Sequence, residues 1–344
     1  MRAIAYAKTG DSSGLHLVER ETPEPGAGEV RVRIAVSGVN PTDWKARAGS
    51  RPGGAAPFAE VVPNQDGAGV VDAVGPGVTG FAVGDRVWAY LAAHERPSGT
   101  AQEFAVLSAE HVVPLPDAAS FDLGASLGVP AMTAHRALTV SEAGPSRLGP
   151  GALDGRTVLV AGGAGAVGHA AIQLARWSGA TVITTVSSPE KAALATAAGA
   201  HHVVNYRADD AAAAIRAIAP HGVDQVVEVS PARNAGLNAS VVANHGSIAV
   251  YATDGGAEMI LDVRRHFALN VRYQFLLLYT VGQDALSAAA EDIGRALADG
   301  ALPVGEDAGL PITRFPLERT AAAHDAVEAG TVGKVLIDVD PDLA

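Results

Sequence analysis

The chain has 344 residues, of which 48% are hydrophobic and 18% charged. That is enough apolar material for two cores at roughly 100–200 residues per domain, and it excludes disorder over most of the length. With 37 acidic against 25 basic residues the net charge is −12, which argues against a nucleic-acid partner but leaves room for a local basic pocket for a phosphate. The absence of cysteine removes disulfides, thiolate metal sites, iron–sulfur clusters and cysteine nucleophiles together. The start of the chain carries no apolar core of the signal-peptide kind, and the most continuous apolar run, Phe275–Tyr279, is too short to span a bilayer. The expectation is a cytoplasmic protein without a membrane partner.

The first third reads as strands and turns. Val30–Val36 alternates apolar and charged residues with period two, the pattern of a half-buried strand. Gly67–Val74 and Gly84–Tyr90 are further short strands, punctuated by Gly75-Pro76-Gly77. Closely spaced short strands suggest a barrel-like or sandwich unit. After about Phe121 strand and helix signals alternate. Thr157–Ala161, Thr181–Val186, Val203–Asn205, Val226–Val229 and Ser247–Tyr251 read as strands; Val167–Ser178 and Pro189–Ala198 read as helices. This is the rhythm of a doubly wound parallel sheet. Ala285–Ala298 and Ala321–Glu328 are predicted helices ended by Gly300 and Gly330, and Lys334–Val339 a closing strand.

The strongest chemical signal is Gly163-Ala164-Gly165-Ala166-Val167-Gly168, a G-x-G-x-x-G run between a strand and a helix. The first glycine permits the tight turn, the second lets a pyrophosphate approach the backbone, and the third lets helix and strand pack closely. The helix N terminus adds free N–H groups and a favourable dipole. The following strand ends in Val186-Ser187-Ser188-Pro189-Glu190-Lys191. An acid at that tip would bond the ribose 2′-hydroxyl of NAD; serines with Lys191 in the first helical turn favour the 2′-phosphate of NADP instead.

These motifs, with Ser37–Lys45 (SGVNPTDWK), Gln65–Val71 (QDGAGVV), Val83–Val87 (VGDRV), Thr133, Asn205-Tyr206 and Gly333-Lys334-Val335, resemble the medium-chain dehydrogenase/reductase superfamily over essentially the whole chain. The chain is most similar to its zinc-free quinone oxidoreductase (zeta-crystallin-like) branch. The resemblance implies an α/β protein with a GroES-like β-barrel-type catalytic domain, expected at 1–128 and 281–344. A Rossmann doubly wound parallel-sheet domain is expected at 129–280, with the cofactor in the cleft. It also implies a homodimer through the last Rossmann strand, here Val271–Tyr279, whose apolar FLLLY end would be an aggregation hazard if left uncovered.

Zinc alcohol dehydrogenases of the superfamily hold their metal through Cys, His and Cys; the matching positions here are Asn40, Gln65 and Val129, which do not make a zinc set. No metal is expected. Without a Lewis acid, alcohol oxidation is disfavoured, and quinones or α,β-unsaturated carbonyls remain as hydride acceptors. By resemblance, Asn40 lies beside the nicotinamide, where it can donate to a reacting oxygen or fix the cofactor. Thr42 matches the proton-relay hydroxyl, although N-x-T-D also reads as a helix cap. Thr133 would meet the nicotinamide ribose. Ala164, Ala166 and Val167 would offer backbone to the pyrophosphate, and Tyr206 would pack at the 2′-phosphate end. Ser230, Tyr251 and Ala252 would stand at later strand ends. The stretch Phe275, Leu276, Leu277 would meet the carboxamide, and Lys334 would close over the cofactor. A tyrosine that some quinone oxidoreductases carry has no counterpart in Gly49–Gly54; Trp44, Phe58, Trp88 and Tyr90 are candidates for wall aromatics or for core residues. The expected activity is NADPH:quinone reduction. The alternatives are enoyl or 2-alkenal reduction and, from another class, a non-catalytic NADPH-binding protein.

Overall fold

The computed structural model describes residues 1–49 and 58–343. In chain order its first elements are β1 (Arg2–Ala5), β2 (His16–Glu19), β3 (Glu29–Val39), α1 (Pro41–Arg47), β4 (Asp66–Val74), β5 (Arg86–Ala89), β6 (Phe104–Ser108), β7 (Val112–Pro114) and α2 (Phe121–Leu138). There follow β8 (Thr157–Ala161), α3 (Ala166–Trp177), β9 (Thr181–Val186), α4 (Pro189–Ala197), β10 (His202–Asn205), α5 (Ala211–Ile218), β11 (Val223–Glu228), α6 (Pro231–Val241), β12 (Val242–Val250), α7 (Val263–Ala268), β13 (Arg272–Phe275) and α8 (Gln283–Ala298). The chain closes with β14 (Ile312–Pro316), α9 (Thr320–Glu328) and β15 (Lys334–Asp338). Among the described residues, no helix is long and apolar enough to cross a membrane.

One compact unit comprises Met1–Val129 and Ile312–Ala344. Its seven-stranded sheet runs β14-β15-β3-β4-β5-β7, with β6 also on β3. The eleven-residue β3 organises this unit because it serves two partners on one edge. Glu29–Arg33 pair with β6 and Val36–Val39 with β15, while β4 follows the other edge. Two register shifts against β4, between Arg31 and Val32 and between Ile34 and Val36, bend the strand enough to do so. The period-two pattern then explains itself: Val30, Val32 and Ile34 are fully buried, and Arg31 and Arg33 face outward onto Asp72 and Asp340.

The other unit spans Pro130–Pro311. Its six strands are all parallel, in the order β10-β9-β8-β11-β12-β13. The chain order reverses between β8 and β11, the switch point at whose carboxyl ends ligands bind in such sheets. The inner strands β8 and β9 are buried at every residue after their first, as runs covered on both faces are. The sheet ends at β13, an edge strand.

Three sequence expectations differ from the structure. The unit returns to the first domain at Ile312, not near 281, because α8 belongs to the parallel-sheet unit: Asp292 accepts from Arg147 and from the Leu148 N–H and bonds His135. The strand expected over Val271–Tyr279 is only Arg272–Phe275. Pairing ends with Leu276 N–H on Val250 O at 2.9 Å, and a 3-10 turn at Leu278–Thr280 buries Leu278. Finally, α2 was not among the predicted helices. It carries Gly124, Gly128 and Pro130, all helix breakers, and is kinked at Gly128 (φ −16°, ψ −109°).

Candidate functional site

In the parallel-sheet unit, the glycine loop joins β8 to α3. A Cβ on Gly163 would lie 2.2 Å from Thr184 Oγ1, and one on Gly168 would lie 2.3 Å from the Gly162 carbonyl oxygen. Both positions therefore exclude a side chain to let turn, strand and helix pack. Gly165 is different: a Cβ there would meet only Gly162 O, at 3.5 Å. Gly165 is also the N-cap of α3, and no side chain caps the helix. The first-turn N–H groups thus face an open approach that a dinucleotide pyrophosphate fits.

Strand register places the other expected cofactor residues on the same edge of this sheet. Asn205 pairs with Val186, and Tyr206 N–H donates to Val186 O at 3.1 Å, so Tyr206 stands beside Ser187. Ser187 and Lys191 are half-buried. The Ser188 hydroxyl is already engaged: it accepts the Lys191 N–H at 3.3 Å as the cap of α4. Its hydrogen bond to exposed Glu190 holds that carboxyl below the usual range. Ser230 follows β11 and donates from its hydroxyl to Asp254 O at 2.6 Å, while Tyr251 N–H donates to Glu228 O at 3.1 Å. Tyr251 and Ala252 follow β12, and Phe275, Leu276 and Leu277 lie at and just beyond the end of β13. Thr133 is buried in the second half of α2.

The unit of Met1–Val129 and Ile312–Ala344 holds a cluster that sequence reasoning found only in part. Asn40, Asp43, Asp66 and Lys334 are all buried, at 2, 3, 0 and 1% exposure. Asn40 sits between β3 and α1; its backbone N–H donates to Asp43 Oδ2 at 2.7 Å, one half of a capping box. Its side chain makes two further bonds. Nδ2 donates to Asp66 Oδ2 at 2.6 Å, and Oδ1 accepts from Lys334 Nζ at 2.7 Å. Lys334 Nζ also lies 3.5 Å from Asp66 Oδ2. The remaining Asp66 oxygen accepts the Val129 N–H at 2.8 Å. That bond accounts for the kink in α2, since a Cβ on Gly128 would fall 2.0 Å from Asp66 Oδ1.

Burial raises the Asp66 pKa, opposed by Lys334, and lowers that of Lys334, opposed by Asp66 and Asp43. Burial, reinforced by Asp66, pushes Asp43 up to about 7, against the Asn40 N–H and Lys334. From Asp66 a second buried chain runs on. Its carbonyl accepts from Thr100 Oγ1, which bonds Ser37 Oγ; Asn64 Nδ2 donates to Ser37, and His324 Nε2 lies 2.9 Å from Asn64 Oδ1.

The structure thus brings Asn40 and Lys334 together. Lys334, expected over the cofactor, turns its ammonium onto Asn40. Thr42 is half-buried in the first turn of α1. Asp66 and Asp43 were not singled out as site residues; the available signal was a charged residue directly before a run of uncharged residues, Asp66 before Gly67–Val71 in β4 and Lys334 before Val335–Ile337 in β15. Glu228 was missed as well. This fully buried carboxylate at the end of β11 accepts from Asn234 Nδ2 at 2.9 Å, Asn238 Nδ2 at 2.6 Å and the Ser230 N–H. Of the aromatics considered for wall or core, Trp88 and Tyr90 are core residues, fully buried with ring centroids 5.8 Å apart. They sit on and just after β5, which pairs with β4 on one side and β7 on the other. The Gly49–Gly54 substrate-wall segment lies, after Gly49, outside the described residues.

Residues 26–117 match a family model described as an alcohol dehydrogenase GroES-like domain, and residues 166–294 one described as a zinc-binding dehydrogenase. The quinone oxidoreductase of Rattus norvegicus is 30% identical over 345 residues, covering 98% of this chain and 97% of its own. A 2-haloacrylate reductase of a Burkholderia species is 31% identical over 343 residues, covering 98% of each. A solved mycobacterial protein complexed with NADPH is 31% identical, with a TM-score of 0.81 over 98% of this chain and 99% of that one. The chain belongs to the medium-chain dehydrogenase/reductase superfamily. Within it, the fold and these relatives place it in the quinone oxidoreductase-like branch.

The zinc of the matched family's description does not fit these residues. At the ligand positions stand an amide already bonded on both its atoms, Gln65, whose Oε1 accepts the Ala93 N–H at 3.1 Å, and the aliphatic Val129. The Lys334 ammonium, 2.7 Å from Asn40 Oδ1, would repel a dication at that oxygen. Among the described residues, no group of three His, Cys, Asp or Glu could hold a metal ion.

Proposed function

We propose that this chain is an NADPH-dependent, zinc-independent oxidoreductase that reduces a quinone. The observation that carries the reading is the acid-free end of β9, with Ser187 beside Tyr206 and Lys191 in the next turn, on the same sheet edge as the open Gly165 approach. The backbone of Ala164, Ala166 and Val167 binds the pyrophosphate. Ser187, Lys191 and Tyr206 take the 2′-phosphate, with Ser188 fixing the turn that presents them. Thr133, Ser230, Tyr251, Ala252 and the Phe275–Leu277 stretch orient the nicotinamide half. Bound NADPH supplies a hydride to the acceptor. Asn40 donates an N–H to the acceptor oxygen as charge develops there, a role strengthened by the exclusion of water around it, and Thr42 relays a proton. The NADPH complex of the mycobacterial relative supports the choice of cofactor.

The 2-haloacrylate reductase relative supports a second acceptor class, α,β-unsaturated carbonyl compounds, since a 2-haloacrylate carries a conjugated double bond. We also propose a homodimer. Among the described residues no strand pairs with the outer edge of β13, and exposed Phe275 and Leu277 lie at its end, with Val263 and Phe267 on α7.

The test is NADPH oxidation, followed by absorbance, against a panel of quinones and enones, with NADH and a chelator as controls. Turnover that prefers NADPH and ignores the chelator supports the reading and identifies the acceptor class. Tight NADPH binding without turnover on any acceptor favours a non-catalytic binding protein.

A further inference from the structure

An asparagine side chain is symmetric in shape, and its amide can sit in either of two orientations that differ by half a turn. Around Asn40 the two neighbours are chemically opposite. The Lys334 ammonium can only donate, and it faces Oδ1 at 2.7 Å. The Asp66 carboxylate, when ionised, can only accept, and it faces Nδ2 at 2.6 Å. Turning the amide over would set donor against donor and acceptor against acceptor in a site where all three residues are buried. Each mismatch there leaves a buried group unsatisfied, with a penalty that water cannot relieve.

Asp66 is itself held. Its second oxygen takes the Val129 N–H, and Gly128 has no Cβ to obstruct the approach. The three residues also come from three separate parts of the chain, Asn40 after β3, Asp66 opening β4 and Lys334 opening β15. The antiparallel pairs Gly38–Asp66 and Gly38–Leu336 bring those strands together. We infer that Asp66 and Lys334 are positioning residues that lock the Asn40 carboxamide in one orientation, leaving its second Nδ2–H as the donor offered to the acceptor oxygen. This inference rests on the role proposed above for Asn40, but the orientation itself is a property of the protein alone.

The experiment therefore reads both. In protein labelled with ¹⁵N-asparagine, the side-chain amide of Asn40 is assigned by its loss in Asn40→Ala. One of its protons should be displaced downfield and exchange slowly. Both properties should be lost in Asp66→Asn and in Lys334→Met. Kinetically, with NADPH and 1,4-benzoquinone, each of these variants should lower kcat by about 10–100-fold, with the NADPH Kd within about threefold of wild type. In the Asn40→Ala background each should cost less than about twofold more, because residues that act as one unit are not additive.

An unchanged Asn40 amide signal in both variants overturns the inference, whatever the activity. So does a full additional loss of kcat in the Asn40→Ala background, which would mark a general structural role. A kept kcat with a tenfold weaker NADPH Kd in Lys334→Met would make Lys334 a cofactor contact instead. If Asn40→Ala turns over as wild type, the proposed role of Asn40 fails, and the amide signal still decides the orientation. Should Lys334→Met not fold, Asp66→Asn combined with Lys334→Met removes both charges together. That variant should lose kcat as Asn40→Ala does, and wild-type kcat in it overturns the inference.

Discussion

The glycine loop makes a sharp prediction, because two of its glycines are required for different reasons. At Gly165 the backbone (φ −86°, ψ 160°) suits any residue, and a Cβ has only an ordinary contact, 3.5 Å from Gly162 O. Gly165→Ala should leave the fold intact. Reduced unfolded-state entropy favours alanine by about 0.4–1 kcal/mol, and the poorer N-cap offsets a few tenths to 1 kcal/mol of that. In the proposed binding mode, however, the methyl group would stand where the pyrophosphate approaches. Losing one charge-assisted hydrogen bond to the loop backbone costs about 1.5–3 kcal/mol, or roughly 10–150-fold in NADPH affinity.

At Gly168 the added Cβ lies 2.3 Å from a backbone oxygen and 3.0 Å from two backbone carbons, contacts that no rotamer relieves. Overpacking of that kind costs about 1–3 kcal/mol or more, against about 1 kcal/mol gained from helix propensity. Gly168→Ala should therefore lower the Tm by several degrees, of order 2–4 °C per kcal/mol. Calorimetry and titration of NADPH fluorescence separate the two effects. NADPH affinity at wild-type strength in Gly165→Ala, or an unchanged Tm in Gly168→Ala, would refute the division of roles.

Other consequences can be measured in the same preparations. Lys191→Ala should reduce the preference for NADPH over NADH by about tenfold or more through loss of a charged contact; an unchanged ratio removes Lys191 from the 2′-phosphate site. Phe267→Glu, on a side chain 68% exposed, should convert a dimer to a monomer by light scattering with little effect on Tm, and a monomeric wild type would sink the edge interface. His169 is buried with Nε2 2.9 Å from Ala308 O, and burial lowers its pKa to about 4. The unfolded chain takes up that proton near pH 6.5 while the folded one does not, so this residue makes stability fall as pH drops from about 6.5 towards 4, by up to about 1.4 kcal/mol per unit. The Tm of His169→Gln should decline less between pH 7 and 5 than that of wild type; equal declines contradict the assignment.

The parallel-sheet unit was legible in the sequence because its signals are local. Thr157–Ala161 and Thr181–Val186 are strands with the predicted bounds, and the helices after them differ by a residue at their ends. Continuous β-branched runs between glycine-bounded helices leave little ambiguity. Where a long-range partner decides the local structure, sequence reading failed. Residues 121–138 look broken by Gly124, Gly128 and Pro130, yet form a kinked helix whose kink exists to present Val129 N–H to Asp66. The apolar end of β13 reads as more strand, yet Val250 offers its last acceptor to Leu276 and the chain then turns to bury Leu278. Lys334 was expected over the cofactor, and Asp66 carried no role. Their burial follows only from the pairing of β15 and β4 with β3, which sets Lys334 beside a residue 294 positions earlier.

The buried charges also bear on the chemistry this chain can support. Two carboxylates and one ammonium would leave the cluster with net negative charge if all were ionised. Asp43, pushed up to about 7 by burial and by Asp66, relieves that excess by holding a proton as pH falls through neutrality. What remains is the Asp66–Lys334 pair with the Asn40 amide across it. Such a pair is weak evidence for stability, since well-packed apolar residues often do as well. Its distinctive property is directional: it fixes which end of one amide is the donor. A fixed N–H dipole in a dry site stabilises oxygen that gains negative charge. That suits acceptors whose charge spreads over a conjugated system, as in a quinone or an enone. A simple ketone or alcohol, whose alkoxide is localised, calls for a proton donor or a metal ion at that oxygen, and Lys334 beside Asn40 Oδ1 opposes a metal ion there.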